Sequence, residues 1–229
     1  MGPLQRSIRL GEIDPAGAAA VAMSGASSAQ VVDSAGLKRL TAHPTVTRQA
    51  TQMAREHRFT LQTSLQRGLP YLPIIEREFR REGVPMGLAY LPIIESHFRA
   101  DAMGRGTGGL WQFTTGTARL YGLTVNGRVD ERRDPAKSSR AAARLLRDLH
   151  DEFGSWGLAL AAYNAGSGRV QQALVGRPRA NFFELAERGL LPAITRHYVP
   201  KVLAVALIGS SPESFGLKSP DRRFDSKKI

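Results

Sequence analysis

Two nearly identical nonapeptides, Tyr71-Leu-Pro-Ile-Ile-Glu-Arg-Glu-Phe79 and Tyr90-Leu-Pro-Ile-Ile-Glu-Ser-His-Phe98, agree at seven of nine positions and set Glu76 and Glu95 nineteen residues apart. In the first copy Leu72, Ile75 and Phe79 recur at intervals of three and four, which predicts a helix over 70–81 with one apolar face. Gly83-Val-Pro85 ends it, and Pro85 suits the first turn of a second helix. That helix brings Leu88, Leu91, Ile94, Glu95 and Phe98 to one side. Pro92 removes the bond to the carbonyl of Leu88, so a bend is expected there. The repeat therefore predicts two successive helices with similar buried faces.

The flanking chain reads the same way. Residues 1–35 are rich in Ala, Ser and Gly and read as a disordered leader or linker. Glu12, Asp14 and Pro15 precede the small-residue run Ala16–Met23, a poor match to an export signal. Residues 36–69 are polar with sparse apolar points and read as a helical arm laid over the core. Thr114 or Thr115 caps a short helix ending near Tyr121-Gly122, and Asp134-Pro135 opens a longer one closed by Gly154. On that longer helix Ala142, Leu145, Leu146 and Leu149 face inward, and Arg140, Arg144 and Arg147 form a solvated row. Trp156–Tyr163 is almost wholly apolar, a helix buried on nearly all sides, with Asn164-Ala-Gly166 as a left-handed stop. Further helices are expected at Gly168–Leu174, Asn181–Arg188 and Thr195–Ile208, and residues 209–229 read as a flexible tail. No stretch sustains strand alternation, so the fold class is all-α.

Several chemistries are excluded. The sequence has no cysteine, which rules out disulfides, thiolate ligands and thiol nucleophiles. The five histidines show no metal-ligand spacing, and no G-x-S-x-G elbow is present. Gly104-Arg-Gly-Thr-Gly-Gly109 has four glycines in six residues but lacks the Lys-Ser/Thr of a phosphate loop. Its glycines predict close backbone approach to a ligand or positive φ. With 32 Lys+Arg against 20 Asp+Glu, the formal charge of +12 favours a polyanionic partner. Charge alone gives no specific nucleic-acid recognition, and no run of residues is long and apolar enough to span a bilayer.

Four polar groups remain embedded in apolar or small residues: Glu95-Ser96, Gln112, Tyr163-Asn164 and Tyr198. A glutamate on the apolar face of a helix has two readings. It is either a buried carboxylate paired with arginine or helix N–H groups, or a general acid whose pKa is raised by desolvation.

Glu95-Ser96 with Phe98, Gly109-Leu-Trp-Gln-Phe113, Ala162-Tyr-Asn-Ala-Gly166 and Tyr198-Val-Pro-Lys201 follow one another in the order and approximate spacing of four motifs. Together they resemble the soluble-type lytic transglycosylase (SLT) domain family over residues 70–208. The resemblance implies a lysozyme-like helical domain, monomeric and cofactor-free, with no metal. It would act on peptidoglycan glycan strands in the bacterial cell envelope (periplasm). Such enzymes cleave the β-1,4 bond between N-acetylmuramic acid and N-acetylglucosamine without water, leaving 1,6-anhydro-N-acetylmuramic acid ends. By the same resemblance Glu95 is the acid/base, Ser96 fixes its helix and loop, and Gln112 contacts substrate near the glutamate. Tyr163 and Asn164 hydrogen-bond the glutamate region and the sugar, and Tyr198 lines the cleft. For Ser96 and Asn164 a cap or helix-stop role stands beside ligand contact.

No acidic residue lies within the other three motifs. A single acid/base suits an intramolecular ring closure, whereas most glycosidases use two carboxylates. The alternatives are a goose-type lysozyme-like hydrolase and a non-catalytic wall-binding module. The chain departs from the family pattern at three places. Ile194 stands where many relatives carry glutamate, Ala100 where proline is frequent, and the 103–108 loop is about one residue short with Gly104 for a common serine.

Overall fold

The computed structural model describes residues 34–220. Eleven α-helices are found among the described residues. They are α1 (Ser34–Thr41), α2 (Pro44–Glu56), α3 (Arg58–Gly68), α4 (Leu72–Glu82) and α5 (Pro92–Glu95). After these come α6 (Thr115–Leu120), α7 (Pro135–Phe153), α8 (Trp156–Ala165), α9 (Ser167–Leu174), α10 (Phe182–Glu187) and α11 (Ala193–Ser210). The all-α class stands. Among the described residues, strand structure amounts to a two-residue antiparallel pair, β1 (Thr107–Gly108) with β2 (Phe113–Thr114), in register Thr107 to Thr114, and two isolated bridges.

All ten residues of α8 are buried, as the unbroken apolar run requires. Around it pack α7, α9 and α11, while α2 lies along α11 and α4 along α7. Local signals set the boundaries. Asp134 accepts from the N–H groups of Ala136 and Lys137 at the start of α7, and Gly154 closes that helix at φ 64°. Thr114 caps α6, and Asn181 and Glu184 form a reciprocal capping box on α10. Ala142, Leu145, Leu146 and Leu149 face inward. Gly166 ends α8 at φ 88° and ψ 147°, so the expected left-handed stop is instead an extended glycine-only turn. No helix among the described residues is long and apolar enough to cross a membrane.

Two expectations are corrected. The segment 36–69 is helical, but its apolar residues Leu37, Val46, Ala50, Met53, Leu61 and Leu65 belong to the same buried cluster as α8 and α11. It is a wall of the core rather than an arm over it. Likewise the stretch after 209 packs down: α11 runs to Ser210, Pro212–Phe215 form a 3-10 turn, and Leu217 is only 3% exposed. Gln62 fastens the backbone of Lys218, donating to its carbonyl at 2.9 Å and accepting from its N–H at 2.8 Å. The leader, apart from Ser34 and Ala35, lies outside the described residues, as do residues 221–229.

The arginine row of α7 is not merely solvated. Arg140 pairs with Glu78 at 3.3 Å, and Arg144 and Arg147 both pair with Glu82, so the row meets the acidic face of α4. Glu78 is buried. Burial pushes its carboxyl pKa up, but the hydrogen bonds from Arg77 and Arg140 and the charges of Arg140 and Arg81 outweigh that and hold it below the ordinary range.

Candidate active site

Glu95 reaches its place through a break in the helix rather than a bend. Gly83 stops α4 in the left-handed region, and Met86–Tyr90 form a 3-10 helix after Pro85. Pro92 has no N–H to give to the carbonyl of Leu88, which accepts from the N–H of Leu91 at 3.1 Å instead. The expected single helix over 85–98 is thus two short ones, and Glu95 is the last residue of the four-residue α5.

Beyond Glu95 the backbone turns back hard. His97 and Phe98 take φ 53° and 57°, left-handed values that cost non-glycine residues about 1–2 kcal/mol each. The carbonyl of Pro92 accepts from both the Ser96 N–H (2.9 Å) and the Phe98 N–H (3.2 Å), closing the turn on the helix. Gln112, the third non-glycine residue with positive φ among those described, belongs to the facing loop. Among the described residues, left-handed backbone at non-glycine positions is therefore confined to the turn after Glu95 and the loop that Ser96 bonds.

The Glu95 carboxyl accepts a hydrogen bond from the Tyr198 hydroxyl of α11 at 2.5 Å. Glu95 keeps a little solvent-accessible surface, but protein atoms crowd its carboxyl. Burial lifts its pKa to about 7, against the opposing pull of the Tyr198 hydrogen bond. Burial, followed by the neighbouring Glu95 charge, drives the pKa of Tyr198 and of Tyr163 well above that of an ordinary phenol. Tyr198 therefore stays protonated and acts as a donor. With Oε1 accepting from Tyr198, Oε2 is the carboxyl oxygen available to hold a proton.

Ser96 and Tyr163 act on the facing loop. Ser96 donates to the carbonyl of Leu110 at 2.9 Å and Tyr163 to that of Trp111 at 2.7 Å. Trp111 is pinned in turn by its indole N–H on Ser139. Tyr163 thus holds the loop that faces Glu95 and does not bond the glutamate itself.

Gln112 turns inward. Its amide donates to the carbonyls of Ala102 (3.2 Å) and Gly109 (2.9 Å), and its carbonyl accepts from Thr107 at 2.7 Å. Both amide protons are used within the loop. Asn164 is also buried, accepting from Thr195 at 2.8 Å and tying α8 to α11. Gly109 has φ 78°, and a Cβ there would lie 1.7 Å from the carbonyl oxygen of Arg132. Its close approach is to the protein's own backbone, not to an open cleft.

Three contributors were not singled out from sequence. Arg132 is 5% exposed and holds the carbonyls of Gly106 and Phe113 while paired with Asp130. Thr107 braces Gln112, and Thr195 braces Asn164. Thr195 sits three residues before Tyr198 on one helix face, a spacing visible in the sequence. Arg132 carries no such signal. Ile194, in the position of the family's glutamate, is 42% exposed.

Three carboxylates of the 130–134 segment are engaged elsewhere. Asp130 pairs with Arg132, Glu131 with Lys137 and the Thr124 N–H, and Asp134 caps α7. Glu76 is half-exposed and pairs with Arg80 four residues on.

The family model for the transglycosylase SLT domain matches residues 40–185. That range takes in α2 and α3 and closes before Tyr198. Membrane-bound lytic murein transglycosylase D of Escherichia coli K12 is 37% identical over 122 residues, 51% of this chain and 26% of that protein. Peptidoglycan transglycosylase gp16 of phage T7 is 34% identical over 117 residues, 49% of this chain and 8% of that protein. The chain thus spans only a minor part of the length of these relatives. An inactive mutant of the lytic transglycosylase Slt from Pseudomonas aeruginosa superposes with a TM-score of 0.53 at 23% identity. The superposition covers 88% of this chain and 40% of that one, a likeness of fold. The family model covers well over half of the sequence, and the chain belongs to the transglycosylase SLT domain family.

Proposed function

We propose that this protein is a peptidoglycan lytic transglycosylase in which Glu95 is the single acid and base. The observation that carries the reading is a carboxyl held by one donor, Tyr198, and raised by burial to a pKa of about 7. A group with that pKa is part protonated and part ionised at neutral pH, so it can both give and take a proton.

In the first half of the reaction the Glu95 proton passes to the glycosidic oxygen as its bond to muramoyl C1 breaks. N-acetylglucosamine leaves with that oxygen as a hydroxyl. In the second half the carboxylate takes the proton of the muramoyl C6 hydroxyl while O6 bonds to C1. The proton count balances, and the product end is 1,6-anhydro-N-acetylmuramic acid. The nucleophile belongs to the substrate, so proximity within the ring supplies what a second carboxylate supplies in a hydrolase.

Tyr198 stabilises the carboxylate between the halves by a charge-assisted hydrogen bond. Gln112, Ser96, Tyr163 and Asn164 serve by holding the facing loop and the helices that frame Glu95, with the glycan seated between. The +12 charge suits an anionic wall polymer, and the site of action is the bacterial cell envelope.

Digestion of purified sacculi followed by mass analysis of the muropeptides tests the reading. Anhydro ends, lighter than reducing ends by one water, are expected. Reducing ends would make the enzyme a hydrolase of the same bond. Intact sacculi under conditions where the protein binds them would make it a wall-binding module.

A further inference from the structure

Directly behind the turn that follows Glu95, α3 presents Ser64, Arg67 and Gly68, at the spacing that brings side chains to one helix face. All three meet that turn. Arg67 donates from Nη1 to the carbonyl of His97 at 2.7 Å. Gly68 is buried beneath the ring of Phe98, so close that a Cβ there would sit 2.8 Å from the ring carbon Cε2. Ser64, whose hydroxyl proton goes to the carbonyl of Thr60 at 2.7 Å, lies 3.4 Å from Nδ1 of His97. The residues so gripped, His97 and Phe98, are the two non-glycine residues in left-handed conformation on the Glu95 side of the site. A turn of this kind persists only where its surroundings over-determine it.

We propose that the Ser64–Arg67–Gly68 face of α3 is the positioning device of the active site, holding the strained His97-Phe98 turn and through it the end of the Glu95 helix. This rests on the reading of Glu95 as the acid/base. Arg67 is a positioning residue in this scheme and touches neither substrate nor the reacting atoms. Burial and the Arg67 and Arg99 charges keep His97 neutral at neutral pH, so the clamp acts by hydrogen bonding and packing rather than by a charge on the imidazole. Released from the clamp, the turn relaxes toward ordinary φ values, the carboxyl of Glu95 swings away from Tyr198, and water reaches it.

The test uses the full chain with Arg67→Ala, Arg67→Lys and Gly68→Ala. Lysis of sacculi is followed as kcat and KM, and the Glu95 carboxyl is titrated by carbon-13 NMR without substrate. Arg67→Ala is expected to lower kcat by about 10- to 100-fold with KM within about two-fold. Its Glu95 carboxyl pKa falls from about 7 toward the ordinary carboxylate range. Arg67→Lys, which keeps one donor for the His97 carbonyl, recovers most of both. Gly68→Ala displaces the Phe98 ring and behaves like Arg67→Ala.

A folded Arg67→Ala with unchanged kcat and unchanged carboxyl titration overturns the proposal. If Arg67→Ala does not fold, Arg67→Lys and Gly68→Ala carry the test, and wild-type values in both overturn it. Full activity in Glu95→Gln would instead overturn the reading of Glu95. The carboxyl titration, which needs no activity, would still report whether α3 sets the environment of that side chain.

Discussion

Residues 71–79 and 90–98 share seven of nine amino acids and fold differently. The first copy is a continuous helix from Leu72, with Pro73 harmless in its first turn, and Glu76 lies half-exposed beside Arg80. The second breaks at Pro92, ends after one helical turn and reverses through two left-handed residues, leaving its glutamate crowded against Tyr198. The two residues that differ sit just past the glutamate. Arg77 and Glu78 continue the helix and pair with each other, and Glu78 also pairs with Arg140 of α7, whereas Ser96 leaves the helix to bond the carbonyl of Leu110. Both phenylalanines are fully buried, and Tyr71 of the first copy stacks on Phe98 of the second. The copies therefore lean on one another as support and site. Shared apolar anchors fix where a segment packs, while the polar residues between them decide whether it stays helical.

The comparison breaks most directly at the glutamates. Glu95→Gln is expected to reduce sacculus lysis by about 100- to 10,000-fold, while Glu76→Gln stays within about two-fold of wild type. Equal losses in the two, measured as released muropeptides, would show the copies to be equivalent after all. Next in size is Tyr198→Phe, expected to lower kcat about 10- to 100-fold through loss of a hydrogen bond to a charged group. Because that bond pulls the pKa down, its removal moves the Glu95 carboxyl above about 7, and the alkaline limb of the pH–rate profile, where the proton donor is lost, shifts upward with it.

Stability sharpens the contrast further. The folded-state pKa of Glu95 is raised from 4.5 to about 7, so the stability it contributes as a neutral acid is complete below about pH 4.5 and is lost as pH rises through about 7. Glu95→Gln avoids that loss. Denaturant unfolding should find the variant gaining up to roughly 3 kcal/mol on wild type between pH 4 and pH 8. No gain would mean that the carboxyl is better solvated than its surroundings imply. The smallest effect belongs to the first copy: Arg80→Ala, which removes an exposed ion pair, should change unfolding free energy by under about 1 kcal/mol and leave lysis untouched.

What could be read from sequence follows a physical division. Helix ends announced by one or two residues were legible: Asp134-Pro135 and Gly154 bound α7, and Thr114 caps α6. Burial on all sides was legible for α8 because an apolar run has no other place to go. Glu95 was separable from Glu76 by the residues after it.

Features made by the meeting of distant segments were not legible. Arg140, Arg144 and Arg147 look like any solvated row until α4 brings Glu78 and Glu82 to them. Nothing in the identity of His97 or Phe98 announces a left-handed backbone, since the surroundings impose it. Gln112 and Tyr163 sit in the loop and helix that frame Glu95, but their hydrogen bonds run to backbone carbonyls, partners that no residue pattern encodes.

The pairing of Glu95 with Tyr198 spans 103 residues, and the Gln62 clip on Lys218 spans 156. Both are contacts of high sequence separation, whose loop-closure entropy must be met before they form. A chain emerging from the ribosome can coil α2 to α7 early, but α11, which brings the cover for α2 and the donor for Glu95, is made after all of them. Until then the carboxyl lacks its Tyr198 partner and titrates as a solvated one. The order of translation thus delays assembly of the site until the fold that encloses it is nearly complete.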